Sequence, residues 1–214
     1  DQKIFKAADK VCAILPELNS TAYKEATIRD LLDMRTGVTF VEDYLATSGL
    51  MIDYRKATNW NPLENNEAPS DLRSFYRLLD KKSHPDGKQF NYVSPNSDLL
   101  GWIIERSTGE RFSDILSNLF WKPLGATMPS YITVDRLGAP RVAGGLCTTA
   151  IDLALVGQLF LDYGFANGQQ ILPKNWLQDI QENGSREAWL EGNFAEYFPL
   201  SLIHISEPTR HRRI

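Results

Sequence analysis

Apolar residues recur every three or four positions through most of the chain, which is the pattern of helices that pack against a core. Residues 25–37 show this pattern first. Thr27 stands before the apolar run and Asp30 follows three residues later, so we predict a short helix that begins with a capping box. The next apolar run, residues 69–82, predicts a second helix with Ser70 as its cap.

Four more segments show the same helical spacing: residues 95–109, 111–125, 147–164 and 173–184. The first should end at Gly109 and the second at Pro123, because glycine and proline commonly terminate helices. Thr148 or Thr149 is expected to cap the third, and Pro173 should lie in the first turn of the fourth. The second half of the chain is therefore predicted to be helical as well.

Strand patterns are scarce in this sequence. The dipeptide Asn167-Gly168 predicts a small hairpin, and residues 141–147 are the best candidate for an extended segment. Within that segment, the pair Gly144-Gly145 favours close backbone packing over a role in binding an oxyanion. We therefore predict a mostly α-helical chain with few strands and long, ordered loops.

The composition is that of an ordinary globular protein, with 214 residues, 43% of them hydrophobic, and a net charge of -4. Neither a nucleic-acid partner nor a membrane segment is expected, because no basic footprint and no apolar run of bilayer length is present. Cys12 and Cys147 match no metal or redox spacing, and two buried free thiols are favoured over a disulfide. Nothing in the sequence calls for a metal or a cofactor.

The end of the chain differs in composition from the rest. Residues 200–214 hold two of the three histidines and an arginine-rich run without an amphipathic pattern. The string LSLIHISEPTR resembles the translation of a transposase adapter used in preparing sequencing libraries, and a disordered basic tail is the alternative. We therefore predict a natural domain at residues 1–199 and a non-native tail at 200–214. His84 is the only histidine of that domain, which argues against a Ser-His-Asp triad.

The stretch FNYVSPNSDLLG, residues 90–101, has two interpretations. In the first, Tyr92 is a half-buried aromatic residue and Ser94 caps a helix that has Pro95 at its first position. In the second, Tyr92 and Ser94 form one wall of an active site. Spacing alone favours the first interpretation.

Several segments, in this order, resemble the serine beta-lactamase and penicillin-binding-protein family, which includes esterases and amidases. They are ATIRDLLDMRTGV, FNYVSPNSDLLGWIIERSTGERFSDIL, WKPLGA, RVAGGLCTTAIDLALVGQLFLDYG and NGQQILP. LLDMRTGVTFVEDY is most similar to the 6-aminohexanoate-dimer hydrolase branch. The resemblance implies an α+β fold whose sheet comes from the N- and C-terminal segments. This chain would then be an internal fragment that covers mainly the helical lobe.

The family uses three motifs: Ser-x-x-Lys, Tyr-x-Asn or Ser-x-Asn, and Lys-Thr-Gly or His-x-Gly. Only the second is present, as Tyr92-Val93-Ser94, with Ser94 where the family usually has Asn. The resemblance implies that Tyr92 relays the proton of the nucleophilic serine to the leaving group, while Ser94 contacts the lysine or the substrate. The nucleophilic serine and the lysine are absent from this chain and are expected upstream of Asp1, with the third motif downstream.

Two more residues are candidate substrate contacts. Tyr44, in VEDYLA, corresponds by resemblance to a loop tyrosine of the nylon-oligomer branch, although an exposed loop aromatic residue is the favoured alternative. Asn96 is expected in the first turn of the helix that follows Tyr92.

The resemblance implies a parent protein that cleaves a small-molecule amide, ester or lactam through an acyl-enzyme, most like a 6-aminohexanoate-oligomer hydrolase or esterase. A β-lactamase or DD-peptidase is the alternative within the same chemistry. A catalytically dead relative that serves as a binding or scaffold module is the alternative from another class, because of the departure at Ser94. The chain as written lacks the nucleophile and the lysine, so we expect it to have no hydrolase activity.

Overall fold

The computed structural model describes residues 5–193 and residue 195, and it is mostly helical there. Within these residues ten α-helices follow one another: α1 Val11–Ile14, α2 Ile28–Leu32, α3 Leu50–Ala57, α4 Leu72–Phe75, α5 Ser94–Thr108, α6 Phe112–Leu116, α7 Lys122–Leu124, α8 Ala150–Leu161, α9 Lys174–Glu182 and α10 Arg186–Leu190. Two antiparallel hairpins accompany them, β1 Tyr131–Ile132 with β2 Leu146–Cys147 and β3 Phe165–Ala166 with β4 Gln169–Gln170. The prediction of a mostly α-helical chain with few strands is confirmed.

The N-terminus of α2 has the predicted capping box. The Thr27 hydroxyl accepts a hydrogen bond from the Asp30 backbone N–H, and the Asp30 carboxylate accepts one from the Thr27 N–H. Both contacts join residues three positions apart, so the sequence alone was sufficient to predict them.

The cap of α4 is one residue later than predicted. Asp71, not Ser70, occupies the N-cap position, and its carboxylate accepts from the backbone N–H groups of Arg73 and Ser74, each at 3.0 Å. A carboxylate satisfies two of the free first-turn donors and complements the positive end of the helix dipole. The prediction of Ser70 was therefore wrong.

The segment after α5 is one irregular helical run. A π-helical turn, Ser117–Trp121, joins α6 to α7, and Pro123 lies within the first turn of α7. The run ends at Gly125, whose φ of 78° is left-handed, so the prediction that Pro123 ends it was wrong. Gly109 ends α5 as predicted, with a φ of 72°.

The predicted features around α8 are mostly present. Thr149, rather than Thr148, caps α8. The predicted hairpin turns at Asn167 and Gly168, with φ values of 49° and 76°. Of the extended segment predicted at 141–147, only its last two residues form a strand.

Most of the buried residues belong to one cluster formed by α1 to α5. Aromatic rings pack edge to face within it, including Tyr23 against Tyr76 and Phe40 against Tyr54. A smaller cluster joins α7 to α8 through Trp121, Leu124 and Leu159. The larger cluster surrounds α5, so the start of this helix has a rigid support.

The cysteines are free thiols, as predicted, but they are not both buried. Cys12 is half-buried and Cys147 is exposed. Gly145 packs as expected, because a Cβ there would lie 2.4 Å from the Arg141 carbonyl oxygen. A Cβ on Gly144 would meet no atom within 4 Å, so close packing is not what favours a glycine at that position. The boundary predicted between residues 199 and 200 and the tail beyond it lie outside the described residues.

Candidate active site

Tyr92 is half-buried and lies two residues before α5. Its backbone N–H donates to the Asn193 side-chain oxygen at 3.1 Å. Just before it, Phe90 stacks on Trp189 of α10 with ring centroids 4.5 Å apart, and the Phe90 N–H donates to the Ala188 carbonyl at 2.8 Å. Contacts with residues about a hundred positions later in the sequence therefore fix the backbone at Tyr92.

Ser94 is the first residue of α5 and is buried. Its backbone N–H donates to the Glu42 carboxylate at 2.8 Å, and its hydroxyl donates to the other oxygen of the same carboxylate through a short hydrogen bond. The prediction that Ser94 is the N-cap was wrong. Val93 holds that position without a side-chain cap, and Glu42, supplied by a distant loop, accepts the first-turn N–H instead.

Glu42 also binds Tyr44. The Tyr44 hydroxyl donates to Glu42 Oε1 at 2.9 Å, and the Tyr44 carbonyl accepts from the Arg55 guanidinium at 2.7 Å. The Tyr44 residue is 62% exposed, as expected for an aromatic residue in a loop. Desolvation of the phenol, the hydrogen bond to Glu42 and the charge of Glu42 raise the pKa of Tyr44 to about 12, and Tyr92 adds to this effect.

The structure thus brings three predicted residues together. Tyr44 and Ser94 share one carboxylate, and Tyr92 lies close enough to Tyr44 to influence its ionisation. Glu42, which connects them, was missed by the sequence analysis. It stands two residues before Tyr44 in a loop, and no local spacing signals a contact with a helix that starts fifty residues later.

Asn96 lies apart from this group. It is fully buried; its side-chain oxygen accepts from the Tyr23 hydroxyl at 2.9 Å, and its amide donates to the Thr36 hydroxyl at 3.0 Å. These contacts tie the first turn of α5 to the segments before and after α2. A substrate contact by Asn96 stays a prediction, and the observed contacts are internal.

Asp98 is a second residue that the sequence analysis missed. Only 2% of it is exposed, and its carboxylate accepts from the Tyr54 hydroxyl and from the Ala143 N–H, the latter at 2.8 Å. Burial raises the pKa of Asp98 to about 6, against the opposing effect of these hydrogen bonds and of Arg141. Asp98 therefore anchors the loop that contains Gly144 to α5. Its one sequence signal is a carboxylate four residues after Ser94, on the same side of the helix.

Arg141 places a positive charge near the group. Its guanidinium carbon lies 4.1 Å from the Trp60 ring centroid and 5.8 Å from that of Tyr54. The charge of Arg141 acts to lower the pKa of both Tyr44 and Asp98. The surroundings of Tyr44 therefore combine a carboxylate and a guanidinium.

Glu42, Tyr44, Tyr92 and Ser94 together could relay a proton and could bind a substrate through hydrogen bonds. They offer the two phenols of Tyr44 and Tyr92, the hydroxyl of Ser94 and the carboxylate of Glu42, whereas the 214-residue sequence contains no Ser-x-x-Lys. In the part of the chain that the structure describes, no three His, Cys, Asp or Glu side chains are grouped so that they could hold a metal ion. None of the described helices has the length and apolar character needed to cross a membrane.

Comparisons with known proteins agree with the predicted resemblance. The model of the family described as beta-lactamase matches residues 1–203. The 6-aminohexanoate-dimer hydrolase of Paenarthrobacter ureafaciens is 32% identical over 199 residues, which are 93% of this chain and 50% of that protein. The chain therefore spans about half the length of this curated relative.

Solved structures share the fold. A Bacillus anthracis protein provisionally described as a 6-aminohexanoate-dimer hydrolase superposes with a TM-score of 0.76 at 27% identity, covering 85% of this chain and 47% of that one. The octameric penicillin-binding protein homologue from Pyrococcus abyssi superposes with a TM-score of 0.62 at 18% identity, covering 84% and 44%. The predicted fold class, of which this chain forms mainly the helical part, is confirmed.

Proposed function

Because the chain belongs to the beta-lactamase family, we propose that it supplies the helical half of a serine hydrolase that works through an acyl-enzyme. The observation that supports this most is the position of Tyr92, within an ordered match over nearly the whole chain and beside Ser94 at the start of α5. Tyr92 would relay the proton of a nucleophilic serine to the leaving group.

The chemistry requires partners from a longer protein. A serine hydroxyl is a weak nucleophile at its free pKa, and a phenol with a reference pKa of about 10 is a poor base without a nearby cation. A lysine ammonium next to Tyr92 would favour the phenolate and complete the relay. We propose that a Ser-x-x-Lys motif, encoded before Asp1, supplies both groups.

An amide is the favoured substrate. The relative from Paenarthrobacter ureafaciens is named for its action on the 6-aminohexanoate dimer, and similarity to it extends over 93% of this chain. Esters and lactams undergo the same acyl transfer, so a β-lactamase or DD-peptidase activity is the second candidate. The β-lactamase activity is supported by the match to the family described as beta-lactamase.

Tyr44 is proposed as a substrate contact. It is exposed, and its hydroxyl is held by Glu42 beside Ser94. The polar atoms of Asn96 pair with Tyr23 and Thr36 in the core. Its proposed contribution is to hold the first turn of α5, and a direct substrate contact stays a prediction.

The test starts from the uninterrupted coding region. Reading upstream of Asp1 should reveal Ser-x-x-Lys within several tens of residues, and the purified longer protein should become covalently labelled by a fluorophosphonate probe. Peptide mass analysis should place the label on the serine of that motif. An intact reading frame without the motif would rule out the proposed mechanism. A motif that is present but never labelled would favour the dead relative with a binding role.

A further inference from the structure

Glu42 receives three hydrogen bonds at the candidate active site. They come from the Ser94 N–H at 2.8 Å, the Ser94 hydroxyl and the Tyr44 hydroxyl at 2.9 Å. We infer that Glu42 is a positioning residue that fixes Ser94 as a hydrogen-bond acceptor towards the reacting groups, an inference that rests on the proposed function. Ser94 would then bind an N–H donor and not a carbonyl oxygen.

The direction of the hydrogen bonds carries this inference. A serine hydroxyl has one proton and two lone pairs, whereas a carboxylate can only accept. Because the Ser94 hydroxyl is bonded to Glu42, its single proton points at the carboxylate. Only lone pairs remain on the Ser94 oxygen for any other partner.

Tyr44 obeys the same constraint. Its phenolic proton is donated to Glu42 Oε1, so its oxygen also presents lone pairs to a further partner. Glu42, Ser94 and Tyr44 together form a wall of hydrogen-bond acceptors next to Tyr92. Such a wall matches an N–H donor, whether it is the ammonium group of the missing lysine or the amide N–H of a substrate. A substrate carbonyl would meet lone pairs and be repelled.

This accounts for a serine where the family usually has asparagine. An asparagine amide offers a donor and an acceptor at once. Ser94 can replace only one of these functions, and Glu42 determines that the acceptor is kept. The two oxygens of the Glu42 carboxylate accept from the backbone N–H and from the hydroxyl of Ser94, so the orientation of this side chain is fixed.

The test uses the longer protein and the substitution Glu42→Gln. A glutamine side chain can still accept the Ser94 N–H, but its amide can donate to the Ser94 oxygen and free the hydroxyl proton to point into the site. We expect kcat/KM to fall about tenfold, the usual cost of losing one hydrogen bond to a charged group. Asp43→Asn is the matched control, because it removes a charge from the same loop. Among the described residues, the Asp43 carboxylate accepts only from the Leu45 N–H.

Repeating the Glu42→Gln substitution in a Ser94→Asn variant distinguishes a positioning role of Glu42 from a purely structural one. In a Ser94→Asn background the asparagine carries its own acceptor, so Glu42→Gln should cost less than about threefold there. A merely structural role for Glu42 would give the same loss in both backgrounds. Equal losses in both, or activity of Glu42→Gln equal to that of the Asp43→Asn control, would overturn the inference.

The source of the N–H donor is decided by paired substrates. The kcat/KM of Glu42→Gln is measured on an amide and an ester with the same acyl group. A decrease confined to the amide identifies the substrate N–H as the donor. An equal decrease in kcat/KM on the amide and the ester, together with a shifted pH profile of kcat/KM, identifies the lysine ammonium as the donor. Either result supports the role of Glu42.

Failure of this inference can be told apart from failure of the proposed function. If the unsubstituted longer protein is labelled by the fluorophosphonate while Glu42→Gln behaves like the control, only the role of Glu42 is wrong. If the unsubstituted protein is never labelled, the proposed function and the role of Glu42 are both overturned.

Discussion

Single carboxylates connect distant segments of this molecule. Glu42 joins a loop to the start of α5, and Asp98 joins α5 to the loop at Ala143. The two differ in surroundings, because Asp98 is almost completely buried whereas Glu42 is only half-buried. For a buried carboxylate the ionised form is disfavoured, and this gives Asp98 a measurable effect on stability.

Asp98 should make the folded protein less stable as the pH rises from about 4 to about 6. Its pKa is raised from 3.8 to about 6 on folding, so the folded state keeps a proton that the unfolded state has lost. The contribution of Asp98 to stability is therefore fully present below the unfolded pKa and is lost as the pH rises through the folded value, by up to about 3 kcal/mol.

Asp98→Asn removes this titration while keeping the shape of the side chain. The free energy of unfolding, measured by urea denaturation, should rise relative to the unsubstituted chain as the pH goes from 4 to 7. Asp43→Asn, in an exposed loop, is the control and should show no such trend. A constant difference between Asp98→Asn and the unsubstituted chain over this range would contradict the raised pKa.

The residue types of the site were predictable, but their partners were not. Tyr92, Ser94 and Tyr44 stand out in the sequence by residue type and by resemblance. The bond from Ser94 to Glu42 joins residues 52 positions apart, and the bond from Asp98 to the Ala143 N–H joins residues 45 apart. Such contacts depend on how the helices pack, and no local pattern encodes them.

At the scale of elements, predictions succeeded where the determining contacts are local. The capping box of α2, the left-handed end of α5 at Gly109 and the turn at Asn167-Gly168 each depend on residues within a few positions. Predictions failed where two neighbouring residues could compete. Ser70 and Asp71 are both good caps, and the position is taken by Asp71, whose carboxylate accepts from two first-turn N–H groups.

The neighbours Thr148 and Thr149 give a matched test of capping in α8. The Thr149 hydroxyl accepts the Asp152 N–H at 3.1 Å, whereas the buried Thr148 hydroxyl has no hydrogen-bond partner among the described atoms. Thr149→Ala should lower the free energy of unfolding by about 1 kcal/mol, because the helix loses its cap. Thr148→Ala should lower it by less, since no hydrogen bond is lost. Equal effects in thermal or urea denaturation would contradict the assignment of the cap.

At the scale of the whole molecule, α8 is an apolar helix with little cover. Four of its large apolar side chains are between 44% and 72% exposed, namely Ile151, Leu153, Phe160 and Leu161. Exposed apolar side chains on this scale usually mark a region that packs against other protein. The chain spans about half of its curated relative, so we propose that the remaining part of the longer protein covers α8.

The exposed apolar side chains of α8 should bind hydrophobic dyes. The purified chain is expected to enhance the fluorescence of anilinonaphthalene sulfonate and to self-associate in analytical ultracentrifugation. Leu153→Gln combined with Leu161→Gln should reduce both signals. Leu137→Gln is the control, because this leucine is 77% exposed but lies outside α8. Equal dye fluorescence and equal self-association for the control and the double substitution would show that α8 does not mediate either effect.

The chain alone should have no hydrolase activity. It carries Tyr92 but neither a Ser-x-x-Lys serine nor its lysine, so no acyl-enzyme can form by the proposed route. Purified residues 1–199 should hydrolyse p-nitrophenyl acetate no faster than the same protein with Tyr92→Phe. Turnover well above that control would refute this expectation.

In the proposed mechanism the Tyr92 hydroxyl transfers protons for a serine nucleophile. The most direct measurement is the rate at which the longer protein is acylated by a fluorophosphonate at neutral pH. Tyr92→Phe should slow acylation at least about a hundredfold, the usual contribution of a positioned acid–base group. Tyr131→Phe, an exposed tyrosine in β1, should leave the rate unchanged. Equal rates for these two variants would show that the Tyr92 hydroxyl does not transfer the proton.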